Sequence, residues 1–215
     1  MNTLRGLYAI TDGAGAPRLL AAVEAAIRGG AGLVQYREKS TDQGRRRAEA
    51  GALLALCRDH GVPLIINDDV ELAASIGADG VHLGRDDGEV SAARVRLGPR
   101  AIIGVSCYDS LERAVHAAHS GADYVAFGSF FASASKPAAV RAPLSLLKDA
   151  RAQLSIPLCA IGGITPQNGG DLVDAGADML AVIQGLFGAA DITAEARRYA
   201  RLFDIPKSHP DFSTR

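Results

Sequence analysis

The chain has 215 residues, of which 48% are hydrophobic and 22% are charged, and its formal net charge is −1. This composition is typical of a soluble globular domain and gives no basic surface for nucleic acid or an anionic membrane. Only 5% of the residues are aromatic and there is no tryptophan, which argues against a base-stacking platform. No apolar run approaches the length that spans a membrane.

Eight short apolar runs alternate with helix-length segments along the chain. The predicted strands are Gly6–Thr11, Leu33–Tyr36, Pro63–Ile66, Gly80–Leu83, Ala101–Val105, Asp123–Phe127, Pro157–Ile161 and Asp178–Ile183. The helices are predicted at Pro17–Arg28, from Thr41-Asp42 to His60, at Val70–Ile76, Val90–Leu97, from Asp109 or Ser110 to Gly121, at Leu144–Leu154, from Thr165-Pro166 to Gly176, and at Thr193–Leu202. Strict alternation of this kind predicts a parallel α/β fold.

Eight repeats of strand and helix favour a single-domain α/β fold, the (β/α)8 TIM barrel. We expect the barrel to occupy residues 1–203 and the polar tail, residues 204–215, to be flexible. A weak repeat supports the barrel, because GGAGLVQ, GADGVHL, GADYVAF and GADMLAV each place a glycine between a helix and the next strand. A doubly wound sheet is the alternative, but no GxGxxG follows the first strand.

The cysteines and the N-terminus indicate where the protein works. Cys57, Cys107 and Cys159 are far apart and form no zinc-binding pattern. Isolated thiols favour buried, reduced cysteines in a reducing compartment. The N-terminus lacks the n-region and h-region of a signal peptide. We therefore expect a cytoplasmic protein.

Acidic residues follow two neighbouring predicted strands. Asn67 and Asp68 come directly after strand three, and Asp87 follows strand four. Parallel barrels bring the carboxyl ends of their strands to one rim, where their chemistry takes place. Two carboxylates at that rim could hold Mg²⁺, which prefers oxygen ligands. The simpler alternative is that Asp68 or Asp69 only caps the following helix.

Two further segments have the composition of anion sites. The turn Gly162-Gly163 precedes Thr165-Pro166, and glycine backbone N–H groups at a helix N-terminus favour phosphate. Barrels often bind phosphate after strands seven and eight, and Gln184 follows strand eight. The alternative for the glycines is an ordinary tight turn.

The second anion-site segment is a hydroxyl-rich loop after strand six, with Ser133, Ser135 and Lys136. By itself it could be a solvated loop. Strand two adds cations at Arg37 and Lys39. Two carboxylates, three cations and two anion-binding turns at one rim indicate a metal-bound phosphate or pyrophosphate substrate.

No arrangement of nucleophile and base is evident. His82 lies within strand four, where it is either a packed structural imidazole or a catalytic one. Cys107 follows Ser106 at the end of strand five but has no base near it in sequence. We therefore favour electrostatic and metal-ion catalysis over covalent catalysis.

At these residues the sequence resembles the thiamine phosphate synthase family. The matching segments, in family order, are LYAITD, QYREK, IINDD with ADGVHLG, GVSC, ADYVAFG and AIGGI. They cover nearly the whole predicted barrel, and QYREK, IIND and VHLG together are specific. The thiazole tautomerases are close relatives that share the barrel without the full diphosphate machinery.

The resemblance implies a transferase that joins 4-amino-2-methyl-5-(diphosphooxymethyl)pyrimidine to thiazole phosphate or its carboxylate, giving thiamine phosphate and pyrophosphate. Its cofactor would be Mg²⁺, held by Asp68 and Asp87. Lys136, Lys39 and Ser106 would be catalytic. The residues implied in substrate binding are Gln35, Tyr36, Arg37, Glu38, Lys39, Asn67, Ser106 and Lys136 toward the diphosphate, and Ser133, Ala134, Ser135, Gly163, Ile183 and Gln184 toward the thiazole phosphate. The partners would be these small molecules alone, and the sequence is compatible with a homo-oligomer.

The chain departs from the family pattern at several positions. Ser133 and Ser135 replace the usual threonines and Ala132 a proline, Arg85 replaces a glutamine, and Gln184 replaces a serine. Retention of both aspartates and both lysines favours the synthase. The alternatives are a thiazole tautomerase-like isomerase and a phosphate-binding barrel without transferase activity.

Overall fold

A closed barrel of eight parallel strands forms the centre of the computed structural model, which describes residues 4–13, 15, 18–85, 87–132 and 140–204. The strands are β1 (Gly6–Ile10), β2 (Ala31–Tyr36), β3 (Leu64–Asn67), β4 (Gly80–Leu83), β5 (Ile102–Tyr108), β6 (Tyr124–Phe127), β7 (Leu158–Ile161) and β8 (Met179–Val182). Each strand pairs with its neighbours in sequence, and β8 closes the barrel against β1. The predicted TIM barrel is confirmed. The predicted flexible tail, beyond residue 204, lies outside the described residues.

Helices on the outside connect successive strands. They are α1 (Arg18–Arg28), α2 (Gln43–Asp59), α3 (Val70–Ile76), α4 (Val90–Leu97), α5 (Leu111–His119), α6 (Ser145–Gln153), α7 (Gly169–Asp174), α8 (Gln184–Phe187) and α9 (Ile192–Ala200), followed by a 3₁₀ turn at Arg201–Phe203. None of the helices in the described ranges is long and apolar enough to cross a membrane.

The strands bury both faces, which explains their continuous apolar sequence. In β1, for example, Tyr8 packs with the barrel interior, whereas Leu7 and Ala9 pack in the larger layer between sheet and helices. Successive side chains of a strand point to opposite faces. Alternate residues of each strand therefore face the barrel interior, and the residues between them face the helices.

The Gly-Ala-Asp repeat ties neighbouring strands together at the amino-terminal rim of the barrel. In the three copies that contain aspartate, its carboxylate accepts a hydrogen bond from a backbone N–H at the start of the preceding strand. The pairs are Asp79 with Leu64 (2.8 Å), Asp123 with Ile103 (2.7 Å) and Asp178 with Leu158 (2.9 Å). Arg94 and Arg151 add ion pairs to the second and third aspartates. The repeat thus serves the fold, at the rim opposite to the predicted site.

Several elements differ from the sequence-based prediction, and the differences at β5, α7 and α8 bear on the predicted site. Strand β5 continues through Ser106 to Tyr108. The predicted helix start at Thr165 is wrong, because α7 begins at Gly169 and residues 165–168 form a separate turn that Asn168 closes by accepting from the Thr165 N–H at 2.8 Å. The single-turn helix α8 was not predicted, since four residues are too few to show helical periodicity.

Candidate active site

A cavity of about 590 Å³ opens at the carboxyl ends of the strands, the rim where barrels of this kind carry their sites. Seven of the predicted site residues line it. They are Gln35, Arg37, Asn67, Ser106, Gly163, Ile183 and Gln184. They lie in or just after β2, β3, β5, β7 and β8, so only the closed barrel brings them together.

The structure separates the roles of the two adjacent aspartates after β3. Asp69 caps α3, since its Oδ1 accepts from the Leu72 N–H at 2.8 Å and its Oδ2 from Arg46 at 2.9 Å. Asp68 has a φ of +63°, a left-handed conformation that residues other than glycine adopt rarely and mostly at functional sites. The capping alternative therefore holds for Asp69 and leaves Asp68 available to the rim.

Asp68 and Asp87 lie against each other at the ends of β3 and β4. Burial, and then the hydrogen bond and charge of Asp87, raise the pKa of Asp68 to about 6, while Asn67 and Arg37 oppose the shift. Gly84 borders both carboxylates: its N–H donates to Asp87 Oδ2 at 2.8 Å, and a Cβ there would lie 3.8 Å from Asp68 Oδ1.

These two carboxylates fit a hard cation. Mg²⁺ typically uses one or two protein carboxylates and completes its shell with water and substrate phosphates. Within residues 4–204, apart from the short gaps given above, no group of three or more His, Cys, Asp or Glu side chains forms a fuller metal cage. Two carboxylates supply only part of the oxygen shell that Mg²⁺ requires.

The QYREK segment divides between the cavity and the outer layer. Arg37 lines the cavity, and its backbone is held by Thr11, whose Oγ1 accepts from the Arg37 N–H at 2.8 Å. Tyr36 points the other way and donates to Glu49 Oε2 at 2.8 Å, as strand parity requires. Glu38 pairs with Arg45 at 3.1 Å.

Lys39 is exposed, and it is not among the described residues that line the cavity. Among the predicted residues of this segment, the structure thus brings Gln35 and Arg37 to the cavity and leaves Tyr36, Glu38 and Lys39 outside its lining.

The opposite side of the cavity is built from the glycine turn after β7 and from the start of α8. Gly162 and Gly163 have φ values of +106° and +63°. A Cβ on Gly163 would lie 2.8 Å from the Phe131 carbonyl carbon and closer still to the Ala132 oxygen. Gly163 is therefore required both by its backbone conformation and by its contact with the segment after β6.

The helix that begins at this side of the rim is α8, not the predicted helix at Thr165. Its first residues, Gln184 and Gly185, line the cavity. The remaining predicted residues, Ser133, Ala134, Ser135 and Lys136, lie outside the described residues, and Ala132 and Val140 on either side of them line the cavity.

Comparison with known proteins identifies the family. The family model described as thiamine monophosphate synthase matches residues 7–186. The thiamine-phosphate synthase of Chromobacterium violaceum is 57% identical over 201 residues, which are 93% of this chain and 97% of that protein. That of Methylococcus capsulatus is 54% identical over 204 residues, 94% of this chain and 91% of that protein. The chain belongs to the thiamine monophosphate synthase family.

A solved structure agrees with this assignment. The thiamine phosphate pyrophosphorylase of Pyrococcus furiosus superposes with a TM-score of 0.83 at 33% identity, covering 93% of this chain and 95% of that one. The resemblance recognised in the QYREK, IIND and VHLG segments is therefore confirmed at the level of sequence and of fold.

This member of the thiamine monophosphate synthase family also contains site features that the sequence did not reveal. His82 is buried, with Nδ1 2.9 Å from the Tyr124 hydroxyl and Nε2 2.9 Å from Ser106 Oγ. Burial lowers the pKa of His82 to about 4, so its imidazole is neutral at pH 7. Burial likewise raises the pKa of Cys107 to about 12, which makes this thiol a poor nucleophile.

Arg113, on α5, holds two rim segments in register. Its Nε donates to the Ser106 carbonyl at 2.8 Å, and its guanidinium donates to the Gly84 carbonyl at 3.1 Å. It therefore links the strand end that carries Ser106 to the turn that leads to Asp87. Arg85 lines the cavity, and its guanidinium lies over the Tyr108 ring at 4.8 Å from the ring centroid.

Proposed function

We propose that this protein is a Mg²⁺-dependent transferase that joins 4-amino-2-methyl-5-(diphosphooxymethyl)pyrimidine to thiazole phosphate or its carboxylate. Its products are thiamine phosphate and pyrophosphate, and carbon dioxide is released as well when the carboxylate is the substrate. The observation that carries the proposal is the pair Asp68 and Asp87, facing the same rim as the glycine turn at Gly163. The relatives named thiamine-phosphate synthase support the coarser assignment as a transferase.

The proposed reaction breaks the C–O bond between the pyrimidine methylene and the diphosphate. The electron pair leaves with pyrophosphate, the amino group of the pyrimidine stabilises the methylene cation, and the thiazole nitrogen then forms the new C–N bond. Mg²⁺ bound by Asp68 and Asp87 would neutralise diphosphate charge and so make pyrophosphate a better leaving group.

The chain's own residues would bind and orient the diphosphate end. Arg37 lines the cavity and supplies a cation, with its backbone N–H held by Thr11. The Asn67 amide donates to Asp68 Oδ2 at 2.5 Å, which restricts the orientation of that carboxylate. Ser106, near the end of β5, offers a hydroxyl to the same cavity. Lys136 and Lys39 are proposed to approach the leaving group, where preorganised positive charge favours the developing anion.

The thiazole phosphate would occupy the side formed by β7 and β8. Gly163 allows close approach of a phosphate to backbone N–H groups, and Ile183 and Gln184 border the same space. Ser133, Ala134 and Ser135 are proposed to complete this half. A cavity of about 590 Å³ is within the range that encloses small ligands.

A coupled assay of pyrophosphate release tests the proposal. We expect release only when both substrates and Mg²⁺ are present, and loss of release on chelation with restoration by added Mg²⁺. Conversion of a thiazole tautomer without metal, and without pyrophosphate release, would instead identify an isomerase. Binding of both ligands with no turnover at any Mg²⁺ concentration would identify a binding protein.

Two adjacent aspartates provide a matched pair of variants for the metal site. Asp68→Asn should slow turnover by roughly a hundredfold or more, because it removes one of two carboxylates from the cation. Asp69→Asn should keep near-normal turnover, because asparagine caps a helix about as well as aspartate. Equal activity of the two variants at limiting Mg²⁺ would refute the assignment of Asp68 as a ligand.

A further inference from the structure

A chain of five hydrogen-bonded side chains crosses the interior of the barrel. Gln35 Nε2 donates to the Tyr8 hydroxyl at 2.6 Å, and the Tyr8 and Tyr124 hydroxyls lie 2.8 Å apart. The Tyr124 hydroxyl is 2.9 Å from His82 Nδ1, and His82 Nε2 is 2.9 Å from Ser106 Oγ. Both ends of the chain, Gln35 and Ser106, line the cavity, as do Tyr8 and His82.

The chemistry of the members restricts the direction of these bonds. Each tyrosine hydroxyl has a single hydrogen, and a neutral imidazole has a single N–H. With Gln35 as the donor to Tyr8, the order in which each hydroxyl passes its hydrogen along the chain has Tyr8 donating to Tyr124 and Tyr124 donating to His82 Nδ1. The N–H of His82 is then on Nε2 and donates to Ser106.

This order of hydrogen bonds gives the two ends of the chain different roles toward the cavity, a donor at Ser106 and an acceptor at Gln35. Ser106 Oγ accepts from His82, so its own hydrogen is free to donate into the cavity. At the other end, the Gln35 amide has used an N–H on Tyr8, and its oxygen is left as an acceptor. Reversal of the whole chain would require the Gln35 amide to turn over.

We propose that Tyr8, Tyr124 and His82 are positioning residues, which transmit the orientation of the Gln35 amide and thereby make Ser106 a hydrogen-bond donor toward the cavity. For its ligand this inference rests on the proposed function. The pyrimidine substrate has an amino group, which donates, and a diphosphate, which only accepts. An acceptor at Gln35 and a donor at Ser106 match these two ends.

A purely structural role makes a different prediction. Packing needs the shapes of Tyr8 and Tyr124 and the satisfaction of their buried hydroxyls, but it is indifferent to which His82 nitrogen holds the proton. A measurement of the His82 tautomer therefore distinguishes a positioning role of the chain from a purely structural one.

Nitrogen-15 NMR of the free protein, labelled at histidine and held at pH 7, measures this tautomer directly. The His82 signals are assigned by their loss in His82→Gln. We expect one tautomer in the wild type, with the proton on Nε2. Tyr8→Phe should shift the tautomer ratio by roughly tenfold toward a mixture, because it removes the hydrogen bond that selects one order. Gln35→Met should shift the tautomer ratio in the same direction, although Tyr8 and Tyr124 separate Gln35 from His82 in the chain.

Tyr199→Phe is the matched control. Tyr199 is also buried, but its hydroxyl donates to the Ile164 carbonyl at 2.9 Å, outside the chain. We expect it to leave the His82 tautomer unchanged. A wild-type proton on Nδ1 overturns the proposal. So does an unchanged tautomer in Tyr8→Phe and Gln35→Met, if either variant retains the dispersed spectrum of a folded protein.

Steady-state kinetics test the consequence for binding. Tyr8→Phe should raise KM for the pyrimidine diphosphate by roughly tenfold, which is about the effect of one hydrogen bond, and should leave KM for the thiazole phosphate unchanged. Equal changes for both substrates would show general distortion and overturn the positioning role. If the wild type releases no pyrophosphate, the proposed function fails, while the tautomer measurement still decides whether the chain transmits the Gln35 orientation.

Discussion

Replacement of Gly163 by alanine is the most direct test of how the site is built. The residue has a φ of +63°, and an added Cβ would lie 2.8 Å from the Phe131 carbonyl carbon, more than half an ångström inside an ordinary contact of 3.4 Å. The left-handed backbone costs alanine about 1–2 kcal/mol. Overpacking against backbone, which cannot rotate away, adds about 1–3 kcal/mol. We therefore expect Gly163→Ala to lower the free energy of unfolding by about 2–5 kcal/mol.

The same substitution should change substrate affinity unequally. Relief of the overlap must move the turn after β7, the segment through Ala132, or both, and both border the half of the cavity proposed for the thiazole phosphate. KM for the thiazole phosphate should rise by about tenfold, the equivalent of one lost hydrogen bond, with a smaller effect on the diphosphate. Gly163→Val should be more severe, because a β-branched side chain tolerates this backbone even less.

Gly170→Ala provides the matched control, since Gly170 lies in α7 and an added Cβ would meet nothing within 4 Å. It should be neutral or stabilising by up to about 1 kcal/mol. Urea unfolding and steady-state kinetics of both variants are the measurements. Equal stability of the two variants would refute the steric argument, and equal KM changes for both substrates would refute the placement of the thiazole phosphate.

Three further predictions concern separate parts of the chain. Lys136→Ala should lower the single-turnover rate by about 10²-fold, with poor rescue by Lys136→Arg; a raised KM at an unchanged rate would reduce Lys136 to a binding residue. Asp178→Ala should cost about 1–3 kcal/mol in urea unfolding, because it leaves the Leu158 N–H without its partner, yet should not change kcat; a loss of kcat in the folded variant would contradict a purely structural role for this rim. Burial raises the pKa of Cys57 to about 12 from 9.0, so the thiol should resist iodoacetamide until the protein unfolds. Because only the unfolded thiol ionises near its usual pKa, its contribution to stability is complete below about pH 9 and is lost as the pH rises further; rapid labelling of the native thiol would exclude this burial.

Much of the architecture was predictable because it depends on local pattern. The alternation of apolar runs with helices, and glycines such as Gly77 with its φ of +71° at the end of α3, are readable from neighbouring residues alone. Once the barrel is inferred, its topology requires the carboxyl ends of all strands to meet. That rule alone predicts that Asp68, Asp87 and Gly163 lie at one rim.

The remaining features depended on tertiary structure, because they join residues far apart in sequence or depend on a single backbone angle. Only the conformation after β3 decides that Asp69 caps the helix while Asp68 turns toward Asp87. Tyr8 and Tyr124 are 116 residues apart and meet only because β1 and β6 face each other across the closed barrel. Likewise Tyr36, adjacent to Gln35, faces the helices rather than the cavity. Local sequence specifies which elements form, whereas the closure of the barrel decides which side chains share its interior.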